Sequence, residues 1–173
     1  MRLTLVLGGA RSGKTAYALR AADAAAGGRT PVFIATAQAW DDEMAARIAR
    51  HRDERGDRWR TLDAPLELVD AMATLQPDDV AVVDCLTLWL TNVMLAERDV
   101  AAAREALVAA AGVCRARLFL VSNEVGLGIV PENALARRFR DEAGWLHQAL
   151  AAAADEVILT AAGLPLRLKP QSP

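Results

Sequence analysis

Cysteine is scarce in this chain: Cys85 and Cys114 are the only two among 173 residues, and their spacing matches no metal-binding pattern. That argues against a disulfide framework and against a structural zinc site. Long apolar runs are missing too, and no uncharged stretch approaches the roughly 20 residues of a membrane-spanning helix. Neither sign of charge dominates, since 20 Lys+Arg stand against 22 Asp+Glu for a formal net charge of −2. Such a balance provides no global basic field for nucleic acid or an anionic membrane, and no basic stripe is interleaved with aromatics. Histidine is limited to His51 and His147, which narrows the search for a reactive imidazole. The N-terminus runs directly into an apolar strand, so no cleavable signal peptide is expected and the cytoplasm is the expected location.

What is present is apolar material for a real core, 53% of the chain, in a length that fits one domain. No repeat, low-complexity linker or internal boundary divides it. A single domain is expected over 1–168, with a short tail over 169–173.

The densest signal is Gly8-Gly9-Ala10-Arg11-Ser12-Gly13-Lys14-Thr15. It fits G-x-x-x-x-G-K-[ST], the phosphate-binding loop of nucleoside triphosphatases. The flanks fit as well. An apolar run over 3–7 suits a buried parallel strand, and an Ala/Leu-rich stretch over 16–26 suits a helix. Glycines let the backbone turn tightly and bring N–H groups close to phosphate oxygens, and the following helix aims its N-terminal dipole at the same anion. Lys14 is suited to the β- and γ-phosphates, and the Thr15 hydroxyl to Mg²⁺.

Further along, strand and helix patterns alternate. Strands are expected over 31–35, 59–63 (or an extended loop), 80–84, 117–122 and 156–160, with an edge strand over 164–168 that tolerates Pro165. Helices are expected over 41–55, from Pro65 to about Thr74, and over 85–97, 100–112 and 132–154. This alternation predicts an α/β domain with a mainly parallel sheet. In such sheets ligands bind beyond the C-terminal strand ends. Thr36, Ala37 and Gln38 follow one such end and are either site lining or an ordinary connection. Asp84 ends an apolar strand in the manner of a Walker B carboxylate, placed to hold Mg²⁺. His147 stands beside Trp145 and Leu146, where packing or surface is the expected role. Asn123 and Glu124 end another strand, and a glycine-containing loop follows over 126–131.

The segment over 41–55 has a narrow apolar stripe and dense charge around His51. One reading is a solvated helix with charge pairs three and four apart. The other is that His51 acts on phosphate while arginines hold it, their charge keeping the imidazole neutral. Residue patterns by themselves lead to an Mg²⁺-dependent nucleotide-binding enzyme, a kinase or nucleotidyltransferase, with the acceptor unspecified.

Five stretches carry a resemblance over essentially the whole chain: GGARSGKT at 8–15, IATAQAWDDEMAARIARHRDER at 34–55, WRTLD at 59–63, VVDCLTLWLTN at 82–92 and SNEVGLGIVPEN at 122–133. Together they resemble the bifunctional adenosylcobinamide kinase / adenosylcobinamide-phosphate guanylyltransferase family of cobalamin biosynthesis. The resemblance implies a single P-loop NTPase (RecA-like) domain, helices on both sides of a mainly parallel sheet, and a propeller-like homotrimer. It implies phosphorylation of adenosylcobinamide from ATP or GTP. It also implies transfer of GMP from GTP onto that phosphate through a guanylylated histidine, which the motif places at His51. Beyond Gly8 to Thr15, it marks Thr36, Ala37, Gln38, Arg52, Asp53, Glu54, Arg55, Asp63 and Asp84 as nucleotide contacts. Several family members carry Glu at the last two places, so the carboxylates here are one methylene shorter. The resemblance does not assign Glu124 and the 126–133 loop, for which a corrinoid or a neighbouring subunit are both open. A monofunctional P-loop kinase and a RecA-like nucleic-acid ATPase are the alternatives from other classes.

Overall fold

The computed structural model describes residues 2–38 and 56–170. The helix expected over 41–55, with His51 and Arg52 to Arg55, lies outside the described residues.

Among the described residues seven strands form one sheet in the order β3-β2-β4-β5-β1-β6-β7. They are β1 (Leu3–Gly8), β2 (Val32–Ala35), β3 (Arg60–Asp63), β4 (Val80–Asp84), β5 (Arg117–Asn123), β6 (Glu156–Ala161) and β7 (Leu164–Lys169). All neighbours pair in parallel except β6 and β7, which pair antiparallel at one edge. The described α-helices are α1 (Lys14–Ala26), α2 (Leu68–Ala73), α3 (Leu86–Leu95), α4 (Val100–Val113) and α5 (Ala134–Ala153), with a short 3-10 turn over Gly56–Arg58.

Strand periodicity divides the core in two. Leu3, Leu5 and Leu7 of β1 join Ile34, Val83, Leu118 and Leu120 on the face covered by α2 to α5. Val6, Phe33, Val82, Phe119 and Val121 point to the other face, against α1. There Ala18, Ala22 and Ala26 recur every fourth residue on one side of α1, and all three are buried. Their methyl groups let the helix axis approach the sheet closely, which holds the start of α1 near the tip of β1.

Most element boundaries fall within a residue or two of the sequence expectation, and three of the differences have a visible reason. Helix α1 begins at Lys14, two residues early, because Gly13 at φ 93° completes the turn out of the loop and Tyr17 N–H already bonds the Gly13 carbonyl at 2.9 Å. Helix α2 starts only at Leu68 rather than at Pro65. The carbonyls of Pro65 and Leu66 are taken by side chains of α3, Asn92 Nδ2 at 2.9 Å and Trp89 Nε1 at 3.1 Å. At the other end of the chain, β7 runs one residue into the segment expected as a tail. Lys169 pairs with Val157, and its Nζ donates to the carbonyls of Ala151 and Ala152 at 2.9 and 3.0 Å. A cation there satisfies unpaired carbonyls at the negative end of α5.

Asn92 ties three segments of the fold together. It is 4% exposed, and its amide reaches the Thr36 carbonyl after β2 as well as that of Pro65 after β3, each at 2.9 Å. Asn92→Ala should lower unfolding free energy by about 1–3 kcal/mol, because buried carbonyls lose their donor. Urea denaturation checks this, and a change below about 0.5 kcal/mol would show that water replaces the amide.

Candidate functional site

The C-terminal ends of the parallel strands form one edge, and the register shows which residues meet there. Gly8 of β1 stands beside Asn123 of β5 and Thr160 of β6. Asp84 of β4 stands beside Ala35 of β2, which in turn stands beside Asp63 of β3.

The phosphate loop leaves β1 through a position with no room for a side chain. A Cβ on Gly8 would lie 2.3 Å from both Ser12 Oγ and Thr160 Oγ1. Arg11 at φ 56° and Gly13 at φ 93° turn the loop back on itself, and the Ser12 N–H closes it on the Gly9 carbonyl at 3.3 Å. The loop is braced from outside by the β6–β7 hairpin. Ser12 Oγ and Thr160 Oγ1 are 2.8 Å apart, Thr160 Oγ1 donates to the Leu7 carbonyl at 3.1 Å, and the Gly163 N–H donates to the Ser12 carbonyl at 2.9 Å. Lys14 is largely buried and folds across the loop, its Nζ donating to the Gly9 carbonyl at 3.1 Å. The ammonium therefore already lies along the concave side, where an anion would be held.

The Thr15 hydroxyl donates to Asp84 Oδ2 at 2.7 Å. Residues 69 apart in sequence thus meet as a hydroxyl and a carboxylate beside the loop. Both are hard oxygen donors of the kind Mg²⁺ takes.

Behind Asp84 the polar residues brace the backbone rather than face outward. Thr36 is fully buried; its hydroxyl donates to the Cys85 carbonyl at 2.7 Å and accepts from the Cys85 N–H at 2.8 Å. Its side chain is thus committed to holding the chain just past Asp84. Asn123 Nδ2 donates to Thr87 Oγ1 at 2.8 Å, and Thr87 Oγ1 lies 3.1 Å from Cys85 Sγ. Burial, with the Asp84 charge second, pushes the Cys85 thiol up from its ordinary pKa, so it is a protonated, inert packing group. Ala37 and Gln38 follow β2 half-buried, and Asp63 is exposed at the tip of β3.

The structure thus gathers Gly8 to Thr15, Thr36 to Gln38, Asp63 and Asp84 on one sheet edge, with Asp63 on the outermost strand. His51 and Arg52, Asp53, Glu54 and Arg55 lie outside the described residues. Sequence reasoning missed the bracing by Thr160 and Gly163. The only signal was a threonine ending an apolar strand and a glycine three residues on, which local pattern does not connect to the loop. It also left Thr87 and Asn92 without a role. An apolar groove of about 230 Å³ lies between the end of α3 and the start of α5, lined among others by Met94, Leu95, Leu135 and Phe139.

Among solved structures, the chain is similar to an ATPase domain, with a TM-score of 0.51 and 12% identity over 91% of this chain and 69% of that one. It is similar also to the Pyrococcus horikoshii protein PH0250, with a TM-score of 0.50 and 11% identity over 99% and 89%. At such identities the likeness speaks for the fold, a RecA-like P-loop α/β domain. Sequence relatives are much nearer. The bifunctional adenosylcobalamin biosynthesis protein CobP of Pseudomonas aeruginosa is 52% identical over 95% of this chain and 96% of its own. The CobU proteins of Salmonella typhimurium and Escherichia coli are 46% and 42% identical over 96% of this chain and 99% of theirs. A family model described as cobinamide kinase / cobinamide phosphate guanyltransferase matches residues 4–168. The phosphate loop and Asp84 are shared by many nucleotide enzymes, but a match that runs from β1 into β7 is specific, and the chain belongs to the cobinamide kinase / cobinamide phosphate guanyltransferase family.

Proposed function

We propose that the protein carries out two successive transfers in cobalamin biosynthesis. In the first, the hydroxyl of the aminopropanol arm of adenosylcobinamide takes the γ-phosphate of ATP or GTP. In the second, GMP passes from GTP through His51 to that phosphate, giving adenosylcobinamide-GDP and pyrophosphate. The observation that carries the nucleotide chemistry is the Thr15–Asp84 contact beside the phosphate loop. The family match supports the choice of acceptor.

In this reading Gly8 to Gly13 cradle the phosphates with backbone N–H groups, and Lys14 turns from the Gly9 carbonyl to phosphate oxygens when a nucleotide arrives. Mg²⁺ suits the oxygen donors Thr15 and Asp84, and when bound it supplies positive charge against the phosphates. Thr36, by clamping Cys85, fixes the position of Asp84. Ala37, Gln38, Asp63 and Arg52 to Arg55 complete the nucleotide site.

For the guanylyl step, neutral His51 attacks the α-phosphorus and pyrophosphate leaves with the electron pair of the broken bond. The phosphate of the acceptor then displaces the histidine. Splitting the transfer in two replaces one difficult displacement by two easier ones, and the arginines beside His51 neutralise charge on the phosphoryl oxygens.

We also infer a homotrimer. The exposed apolar side chains of Leu127, Ile129, Val130 and Leu135, clustered in one stretch of chain, are consistent with a surface that another subunit covers.

GTP labelled on the α-phosphate should leave an acid-labile, alkali-stable adduct on denatured wild-type protein and none on His51→Ala. Absence of any adduct in active, Mg²⁺-supplied wild type would leave a monofunctional kinase as the better reading. Asp84→Asn should slow phosphoryl transfer by about 10²-fold or more and raise the Mg²⁺ concentration giving half-maximal rate. An unchanged Mg²⁺ dependence would remove Asp84 from the metal site. Light scattering of the purified protein should give the mass of three chains, and a monomer at micromolar concentration would refute the trimer.

A further inference from the structure

A carboxylate, an imidazole and a hydroxyl stand in line next to the phosphate loop, on residues to which the two proposed transfers assign no role. Ser122 and Glu124 are two residues apart at the end of β5, so their side chains turn to the same face of the sheet. They meet His147 of α5 there. Ser122 Oγ lies 2.7 Å from His147 Nε2, and His147 Nδ1 lies 3.9 Å from Glu124 Oε2.

The order is that of a nucleophilic triad, but the hydroxyl is at the wrong end for one. Ser122 is fully buried, so no substrate reaches it. The end that reaches solvent is the carboxylate, whose side chain is 23% exposed. Burial holds the His147 imidazole below its usual range, against the opposing pull of Glu124, so the ring is neutral at neutral pH. Its single N–H belongs on Nδ1, facing a carboxylate that only accepts, and the Ser122 hydroxyl then donates to Nε2.

Backbone contacts fix Glu124 on its other sides. Its backbone N–H donates to the Gly8 carbonyl at 3.0 Å, which puts the residue at the mouth of the phosphate loop. Oε1 accepts from the Gly126 N–H at 2.5 Å. A Cβ on Gly126 would stand 2.9 Å from that oxygen, so the glycine leaves room for the carboxylate. Oε2 has no hydrogen bond among the described residues.

The other strand-tip carboxylates are placed for different work. Asp84 already receives the Thr15 hydroxyl. Asp63 ends β3, four strands from β1 in the sheet order, which is about 19 Å away at the usual strand spacing. Glu124 follows β5, the neighbour of β1.

Building on the kinase reading, we propose that Glu124 is the base that receives the proton of the acceptor hydroxyl in phosphoryl transfer. His147 and Ser122 are positioning residues that aim its carboxylate. As the hydroxyl oxygen bonds to the γ-phosphorus, the bond from that phosphorus to the β–γ bridging oxygen breaks. The nucleoside diphosphate leaves with the electron pair, and the hydroxyl proton passes to Oε2. The guanylyl step makes no such demand, since its acceptor is a phosphate that is already an anion. The two half-reactions should therefore respond differently to loss of this carboxylate.

The test assays them separately, as phosphoryl transfer from ATP to adenosylcobinamide and guanylyl transfer from GTP to pre-formed adenosylcobinamide phosphate. Glu124→Gln should lower kcat of the first by about 10²–10⁴-fold. The KM for ATP and the rate of the second should stay within about threefold of wild type. Glu124→Asp should recover part of the loss, and His147→Gln should lower the first rate while sparing the second. Should Glu124→Gln phosphorylate at a rate within about threefold of wild type, or lose both half-reactions equally, Glu124 is not the base. A wild-type protein that transfers no phosphoryl group would instead overturn the kinase reading, and this inference with it.

Discussion

The hydrogen bond from Thr15 to Asp84 joins two parts of the sheet that the chain itself keeps far apart, and the candidate site depends on it. Thr15 belongs to the first turn of α1, and Asp84 ends a strand two places from β1 in the sheet order. The bond forms only if β1, β5 and β4 end at one level and α1 packs tightly on the sheet. Parallel register provides the first condition. The alanine stripe on α1 provides the second, because a larger side chain at Ala18 or Ala22 would lift the helix and carry Thr15 away from the carboxylate.

Around that bond the structure uses polar side chains as braces. Thr36 and Asn92 hold β2, the stretch after β3, and the turn past Asp84 together. Thr87 and Asn123 do the same between α3 and β5. Each is buried or nearly so, and each has a partner, which is the condition for a polar group to rest inside a core without a large penalty. The arrangement ties the tips of β2, β4 and β5 to one another. On the far side of β1, Thr160 and Gly163 support the phosphate loop from the antiparallel β6–β7 hairpin. A strand without an obvious role at the sheet edge thereby acquires one.

The site region has two sides of different character. Toward α1 lie the phosphate loop, Lys14 and the Thr15–Asp84 pair, all suited to a charged ligand. Toward α5 lie Glu124, backed by His147, and the apolar groove between α3 and α5. The 124–133 segment links the two, leaving the Gly8 carbonyl at Glu124 and reaching the groove at Asn133.

Much of the local structure was legible in the sequence, since apolar runs, alanine-rich stretches and the glycine pattern act over a few residues. The phosphate loop, the parallel strands and Pro165 on an edge strand all follow from short-range sterics and hydrogen bonding. The limit appears at α2, where a helix expected from Pro65 gives up its first carbonyls to Asn92 and Trp89, side chains more than 20 residues away. It appears again at His147, where a sequence pattern sees an apolar surrounding but not Ser122 or Glu124. For the described residues, the sequence by itself determined the kinds of regular element, their order and the loop chemistry, because those depend on neighbours along the chain. Only the tertiary structure decided that β1 lies between β5 and β6, that Ser12 rests on Thr160 across 148 residues, and that Thr15 meets Asp84. Those pairings come from packing whole faces together, and periodicity says which face is apolar without saying what covers it.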